Sequence, residues 1–333
     1  MGWTVDLHAD LTPSAERSIQ EIETWLPSSQ ITFDHFAFRT YGSPGLGISS
    51  LAKWFTELGY QQRDSLDFEK KKLRAQWFSP PEQDLPRVFI SELKVELMSE
   101  TAQSIIKKYT LGFDETLGGF GAPTGLLGVA PWQTPTEDDY RTLAAESEYA
   151  AWVLVNGYNL NHTTVSIHRL FGLDTGIEDV NMQLKNRGFV LNSQGGEIKV
   201  SEDGLLLQSS TVADMRDFVF DGNASPVSVP GSYIEFAERK VLPAWRNLKV
   251  RFWAFFNTVY EYYCQEEEEL HSTESHFRNN YMQPAEIEEQ HRREGFETAS
   301  ADKIFESTSI AFKLKNKEAI STRTTTKQGE KND

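Results

Sequence analysis

Two stretches of this chain, opening near residues 32 and 161, run through the same order of segments: strand, helix, then further strands. That repeat of order, not of identical letters, constrains the fold more than any single motif. A β-α-β-β-β unit uses a helical crossover and then returns by antiparallel strands, which gives a curved sheet with one concave face. In the first unit, residues 32–40 are rich in β-branched and aromatic residues and read as a strand. A helix is expected over 48–58, with Leu51, Trp54, Phe55 and Leu58 on one side and Gly59 as its cap. Strands follow over 60–68, 73–78 and 87–97, the last as one long strand or a pair. In the second unit a strand is expected over 161–167 and a helix over 176–187, ended by Gly188. Short strands then run over 189–192, 198–201 and 205–210, a connector over 213–218 and a final strand over 232–237.

Between the units, 99–109 reads as an amphipathic helix, 112–135 as irregular chain rich in Gly and Pro, and 137–155 as one helix approximately capped by Thr136. Ahead of the first unit, 12–26 carries a helical apolar stripe of Ile19, Ile22, Trp25 and Leu26. Residues 249–290 crowd Phe252, Trp253, Phe255, Phe256, Tyr260, Tyr262 and Tyr263 just ahead of Glu266. They read either as a helix covering the core or as an insertion peculiar to this chain. The expectation is one domain over 1–315. It comprises units 28–98 and 158–238, a helical connector 99–157 and a covering region 239–315, followed by a disordered polar tail 316–333.

A formal net charge of -16 makes DNA, RNA and anionic membranes poor long-range partners, though a local cationic pocket is compatible with it. The single Cys264 permits no internal disulfide framework and no thiolate metal cluster, and the acidic run beside it disfavours a reactive thiolate. No run approaches the ~20 apolar residues that span a membrane. The first residues lack a secretory pattern and an Arg-rich transit pattern, so a cytoplasmic location is expected, with organellar import left open. Gly118-Gly119-Phe120-Gly121 lacks the context of a phosphate-binding loop, and no serine sits in a nucleophile elbow.

The candidate chemistry lies on three strands. Period-two alternation puts His35, Ala37 and Arg39 on one face of the first strand and Phe36 and Phe38 on the other. The possible ligand His35 and the cation Arg39 are placed about two residue steps apart, roughly 6–7 Å along the strand. His162 alternates with Thr164 and Ser166, a polar face that suits a cavity; Asn161 is assigned to fixing a neighbouring loop. His168 is the rival histidine, but it lies ~20 Å further along an extended strand. Glu235 points away from Ile234 and Phe236, and a carboxylate in a cavity is costly unless paired or metal-bound. Two imidazoles and one carboxylate form the facial set of non-haem Fe(II) sites, and the same donors can hold Zn(II). Arg39 offers a permanent charge and a planar fork to a carboxylate. The ordinary alternatives are a structural His35, an ion-paired Arg39, and a non-catalytic acid-binding barrel in which the three residues do not converge.

Residues 34–40, 161–164, 231–239, 295–297 and 301–308 together resemble the 2-oxoadipate dioxygenase/decarboxylase family, whose members are similar to the vicinal-oxygen-chelate proteins. The resemblance implies an α+β fold: a vicinal-oxygen-chelate-like incomplete β-barrel from two βαβββ-like units, with additional helices. It implies Fe(II) held by His35, His162 and Glu235, a substrate carboxylate gripped by Arg39, and Ser300 near the substrate's far end. The implied reaction converts 2-oxoadipate and O₂ to 2-hydroxyglutarate and CO₂, a step in lysine breakdown. The competing readings are a non-redox divalent-metal lyase, isomerase or hydrolase and the binding barrel above. The segment 249–290 matches no feature of that family.

Overall fold

The computed structural model describes residues 31–112, 130–170, 176–246 and 289–309. The helix expected over 12–26, most of the irregular stretch, nearly all of the aromatic segment, Cys264 and the tail lie outside these residues. The first unit is β1 (Phe33–Tyr41), α1 (Ile48–Glu57), β2 (Gln61–Phe68), β3 (Leu73–Ser79) and β4 (Arg87–Leu93). Among the described residues the connector holds three helices: α2 (Glu100–Thr110), α3 (Glu137–Glu146) and α4 (Glu148–Asn156). The second unit is β5 (Leu160–Ser166), α5 (Ile177–Asn186), β6 (Lys199–Val200), β7 (Leu206–Ser210), the hairpin β8 (Met215–Phe218) and β9 (Val227–Pro230), then β10 (Tyr233–Arg239). A further helix, α6, covers Thr298–Ile304.

The strands form one eight-stranded sheet in the order β2-β3-β4-β1-β5-β10-β7-β6, curled into a half-barrel. The order repeats about its centre. β1 pairs in parallel with β4, β5 pairs in parallel with β10, and the two units join where β1 meets β5 antiparallel. The two opening strands expected from the sequence are therefore neighbours at the middle of the sheet.

Local chemistry explains most boundaries. Gly59 and Gly188 take the positive φ (91° and 89°) that ends a helix. Thr136 accepts the Asp139 amide as expected. The helix expected over 137–155 is two helices, because Ser147 leaves the helical conformation and caps α4 by accepting the Ala150 amide. The segment 87–97 is a single strand that stops at Leu93 and turns through Val95–Leu97. Residues 189–192 contribute one isolated bridge, Leu191 to Thr211, and the connector at 213–218 holds a strand instead, β8 pairing with β9 in a separate small sheet.

The outer face of the sheet buries Phe36, Phe38, Ile90, Val165, Ile234 and Phe236 against apolar residues of α1 and α5. On the concave side, Tyr41, Trp77 and Phe89 pack with connector residues such as Ile106, Leu143 and Trp152. Residues 289–309 cover the same face. Phe296 lies against His35, Trp77 and Phe89, with ring centroids 4.8, 5.7 and 5.1 Å away.

The end of the half-barrel beside His35 is sealed by ions. Buried Asp34 takes bonds from Arg239 at 2.6 and 3.0 Å and from Arg87 at 3.4 Å. Arg87 also reaches Glu289 (3.0 Å) and Glu294 (3.1 Å), and Glu289 lies 3.0 Å from His168. Burial pushes the Glu289 carboxyl up, but the His168 hydrogen bond and charge and the Arg87 charge outweigh it and hold the group at about 2. A depressed carboxyl stabilises the fold above its ordinary 4.5, and that contribution is lost as pH falls toward about 2. The urea midpoint is expected to fall across that window, and Glu289→Gln to flatten the fall. Equal acid sensitivity in wild type and variant would remove Glu289 from the account.

Candidate metal centre

β1, β5 and β10 run side by side, and each presents one candidate metal ligand to the concave face. One ligand atom from each of His35, His162 and Glu235 lies within 4.8 Å of the others. Glu235 Oε2 is 3.1 Å from His162 Nε2 and 3.8 Å from His35 Nε2. All three residues are buried.

Two β-bulges aim the histidines. Phe33 pairs with Val165 and His35 with Thr164, so Asp34 is an extra residue on β1. Ala37 pairs with His162 and Phe38 with Leu160, so Asn161 is an extra residue on β5. A bulge redirects the side chains around it. Each extra residue immediately precedes a histidine and accepts from its ring: His35 Nδ1 donates to Asp34 Oδ1 at 2.8 Å, and His162 Nδ1 to Asn161 Oδ1 at 2.9 Å. Carboxylate and amide oxygens only accept, so in the neutral ring Nδ1 carries the proton and Nε2 keeps its lone pair. Glu235 is held in the same way. Gln208 Nε2 donates to its Oε1 at 2.6 Å, which leaves Oε2 facing the imidazoles.

Each candidate ligand thus has one atom engaged by an outer partner and one turned toward the other two, although His35 Nε2 also accepts from Thr164 Oγ1 at 3.0 Å. Outer hydrogen bonds of this kind orient metal ligands, and losing one costs roughly 10–100-fold in affinity. Asn161→Ala and Gln208→Ala are each expected to weaken Fe(II) binding by about that factor in a chelator competition. Unchanged affinity in both would show that the partners do not orient the ligands.

The protonation states suit a cation. Burial drives His162 down to about 4 despite the opposing pull of Glu235, so its ring is neutral at neutral pH. Burial raises the Glu235 carboxyl, but the electrostatic pull of the facing His35 and His162 and the Gln208 hydrogen bond outweigh it, and the net shift is downward. Two neutral nitrogens and one carboxylate oxygen fit a divalent first-row ion with open positions.

Arg39 lies further along the same face and is 1% exposed. Its separation from His35 is four residues, about 13 Å of strand at ~3.3 Å per residue, and not the 6–7 Å expected, which is one same-face step. Arg39 Nη1 donates to Thr308 Oγ1 at 3.0 Å and Nη2 to the Phe305 carbonyl at 3.4 Å. The guanidinium stands 5.0, 5.3 and 5.5 Å from the rings of Tyr149, Trp152 and Phe305. Its Nε has no hydrogen-bond partner, and among the described residues no carboxylate makes an ion-pair contact with it, Glu306 acting on it only through space. Tyr233 stacks on His162 with ring centroids 4.5 Å apart and interacts electrostatically with both Arg39 and Glu235. Ser300 is buried in α6. His168 is apart from the triad, in the ionic seal with Glu289.

The outer partners Asp34, Asn161 and Gln208 went unassigned as such in the sequence. Asn161 holds its own neighbour, not a loop. The signal present was an Asp-His and an Asn-His pair at the same point of the two units.

A family model described as 2-oxoadipate dioxygenase/decarboxylase matches residues 10–117 and 124–308. The chain is 42% identical over 318 residues to the chloroplastic 2-oxoadipate dioxygenase/decarboxylase of Arabidopsis thaliana, covering 92% of this chain and 75% of that protein. It is 44% identical over 309 residues to the chloroplastic/amyloplastic protein of that name from Oryza sativa subsp. japonica, covering 89% and 74%. The crystal structure of the Oryza sativa hydroxyglutarate synthase in complex with 2-oxoadipate superposes with a TM-score of 0.75 at 43% identity, covering 90% of this chain and 88% of that one. With the fold, the triad and these relatives in agreement, the chain belongs to the 2-oxoadipate dioxygenase/decarboxylase family.

Proposed function

We propose that the protein is an Fe(II)-dependent 2-oxoadipate dioxygenase/decarboxylase that forms 2-hydroxyglutarate and CO₂, a step in lysine breakdown. The observation that carries this reading is one concave face holding both a two-histidine, one-glutamate cluster and a buried arginine with no carboxylate in ion-pair contact among the described residues. A buried unpaired cation is costly, so an anionic ligand is its natural partner. Bound Fe(II) supplies Lewis acidity toward a 2-oxo acid and electrons for O₂.

The chain's own groups do the rest. His35, His162 and Glu235 hold the ion, and Asp34, Asn161 and Gln208 keep them aimed. Arg39 binds a substrate carboxylate and so fixes the chain direction along the half-barrel. Ser300 is assigned to the substrate's far end. Phe296, packed against His35, keeps water from that side of the site. The net reaction balances with one CO₂ per O₂. A six-carbon diacid loses its first carboxylate, one oxygen atom completes the new carboxylate at the former keto carbon, and the other becomes the hydroxyl.

Both strand-helix units and the covering segment contribute residues, which supports reading 1–315 as a single catalytic domain. The chloroplastic names of the two plant relatives favour an organellar location, the alternative left open beside the cytoplasmic one expected from the N-terminus. The test is anaerobic loading with Fe(II), then O₂ uptake and CO₂ release with 2-oxoadipate, 2-oxoglutarate and 2-oxopimelate. The expected result is preference for 2-oxoadipate and a one-to-one ratio of gases. Turnover without O₂, supported equally by Zn(II), would overturn the oxygenase reading in favour of non-redox metal chemistry.

A further inference from the structure

We infer that the turn between β2 and β3, carrying Lys70, Lys71 and Lys72, is the mouth through which the dianionic substrate reaches Arg39. The inference rests on the functional reading above and adds the route and the residues that capture the acid. The His35 end of the half-barrel is closed by Phe296 and by the Asp34, Arg87 and Arg239 cluster. Away from that end the described residues leave a recess. A cavity of about 220 Å³ lies there, with Arg39 and the three lysines in its lining.

The cavity is built for an anion. Its ionisable lining comprises four cations, Arg39 and Lys70 to Lys72, against three carboxylates, Glu146, Glu148 and Glu306, a local excess of one positive charge. The whole chain carries -16, so a local cationic excess stands out as a place for a dianion to bind. Arg39 adds the independent sign of a ligand: it is wholly buried, lines the cavity, and keeps its Nε unbonded.

The lysines are held open-handed. Lys71 pairs with Glu306, and Lys72 with Glu146 at 3.0 Å, so the turn is tethered to both walls of the mouth by exchangeable ion pairs. Both lysines remain partly exposed, at 26% and 36% of their side chains. Lys72 has φ 56°, a left-handed backbone that disfavours any residue with a Cβ, and it is locked there by bonds from Lys72 N to Glu69 O and from Lys94 N to Lys72 O. An incoming carboxylate replaces Glu306 or Glu146 on a lysine and is then passed inward to Arg39, which lies behind them.

The test is steady-state turnover of 2-oxoadipate by the Fe(II)-loaded full chain as ionic strength is varied. The double variant Lys71→Gln, Lys72→Gln is expected to raise KM roughly tenfold, to keep kcat within about twofold, and to flatten the salt dependence of kcat/KM. Glu306→Gln, which frees Lys71 and removes a mouth carboxylate, is expected to lower KM. Lys185→Ala, a surface lysine paired with Glu197, controls for net charge and should change neither constant. Unchanged KM and salt slope in the double variant would overturn the entrance while leaving the function standing. Absence of 2-oxoadipate turnover in the wild type would instead refute the function.

Discussion

Replacing His162 with alanine will leave a folded protein that no longer retains iron. His162 supplies one of three converging atoms, and its Nε2 lies 3.1 Å from Glu235 Oε2. Losing a ligand outright must cost more than the roughly 10–100-fold that follows loss of an outer partner. Iron content after gel filtration is therefore expected near zero, and O₂ uptake with it. The fold survives because the outer-face core does not include His162 and because Gln208 still satisfies Glu235. His162→Gln, which fills the same space with a weaker ligand, guards against a packing defect and should show the same loss with a thermal midpoint near wild type. Normal iron occupancy in either variant would remove His162 from the site.

Arg39→Ala will separate substrate capture from metal binding. The guanidinium is buried, and a charge-assisted bond to a carboxylate in such a place is worth about 2–5 kcal/mol when one partner is truncated. That converts to a fall in kcat/KM of roughly 30- to 4000-fold at 1.4 kcal/mol per decade. Iron affinity should hold, since Arg39 is about 13 Å along the strand from His35. Arg39→Met keeps the apolar stem against Tyr149, Trp152 and Phe305 and should lose capture with less loss of stability. Arg39→Lys should recover capture only in part, because an ammonium lacks the planar fork. Unchanged saturation by 2-oxoadipate in Arg39→Met would show that the cation balances something other than substrate.

Much of this site was legible because two periodicities speak plainly. Alternation along residues 32–40 sorts His35 and Arg39 from Phe36 and Phe38, and burial against α1 and α5 enforces that sorting. The repeat of segment order places His35 and His162 at matching points, which is why they meet at the β1–β5 junction. What stayed hidden depends on breaks in regularity. A bulge adds a residue without altering composition, so the roles of Asp34 and Asn161 show only in the pairing register. Gln208 lies far from Glu235 in sequence, and only the β7–β10 ladder brings them together. The Ser147 break between α3 and α4 sits inside a continuous apolar pattern, where a capping serine is easily read as an interior residue. The β8–β9 hairpin carries too short an alternation to stand out from loop.

Anomalous scattering at the iron edge, from crystals of the chain loaded with Fe(II) under argon, tests the central claim most directly. One peak per chain is expected, in contact with His35 Nε2, His162 Nε2 and Glu235 Oε2. Iron found instead beside His168 and Glu289, or no peak between β1, β5 and β10, would contradict it.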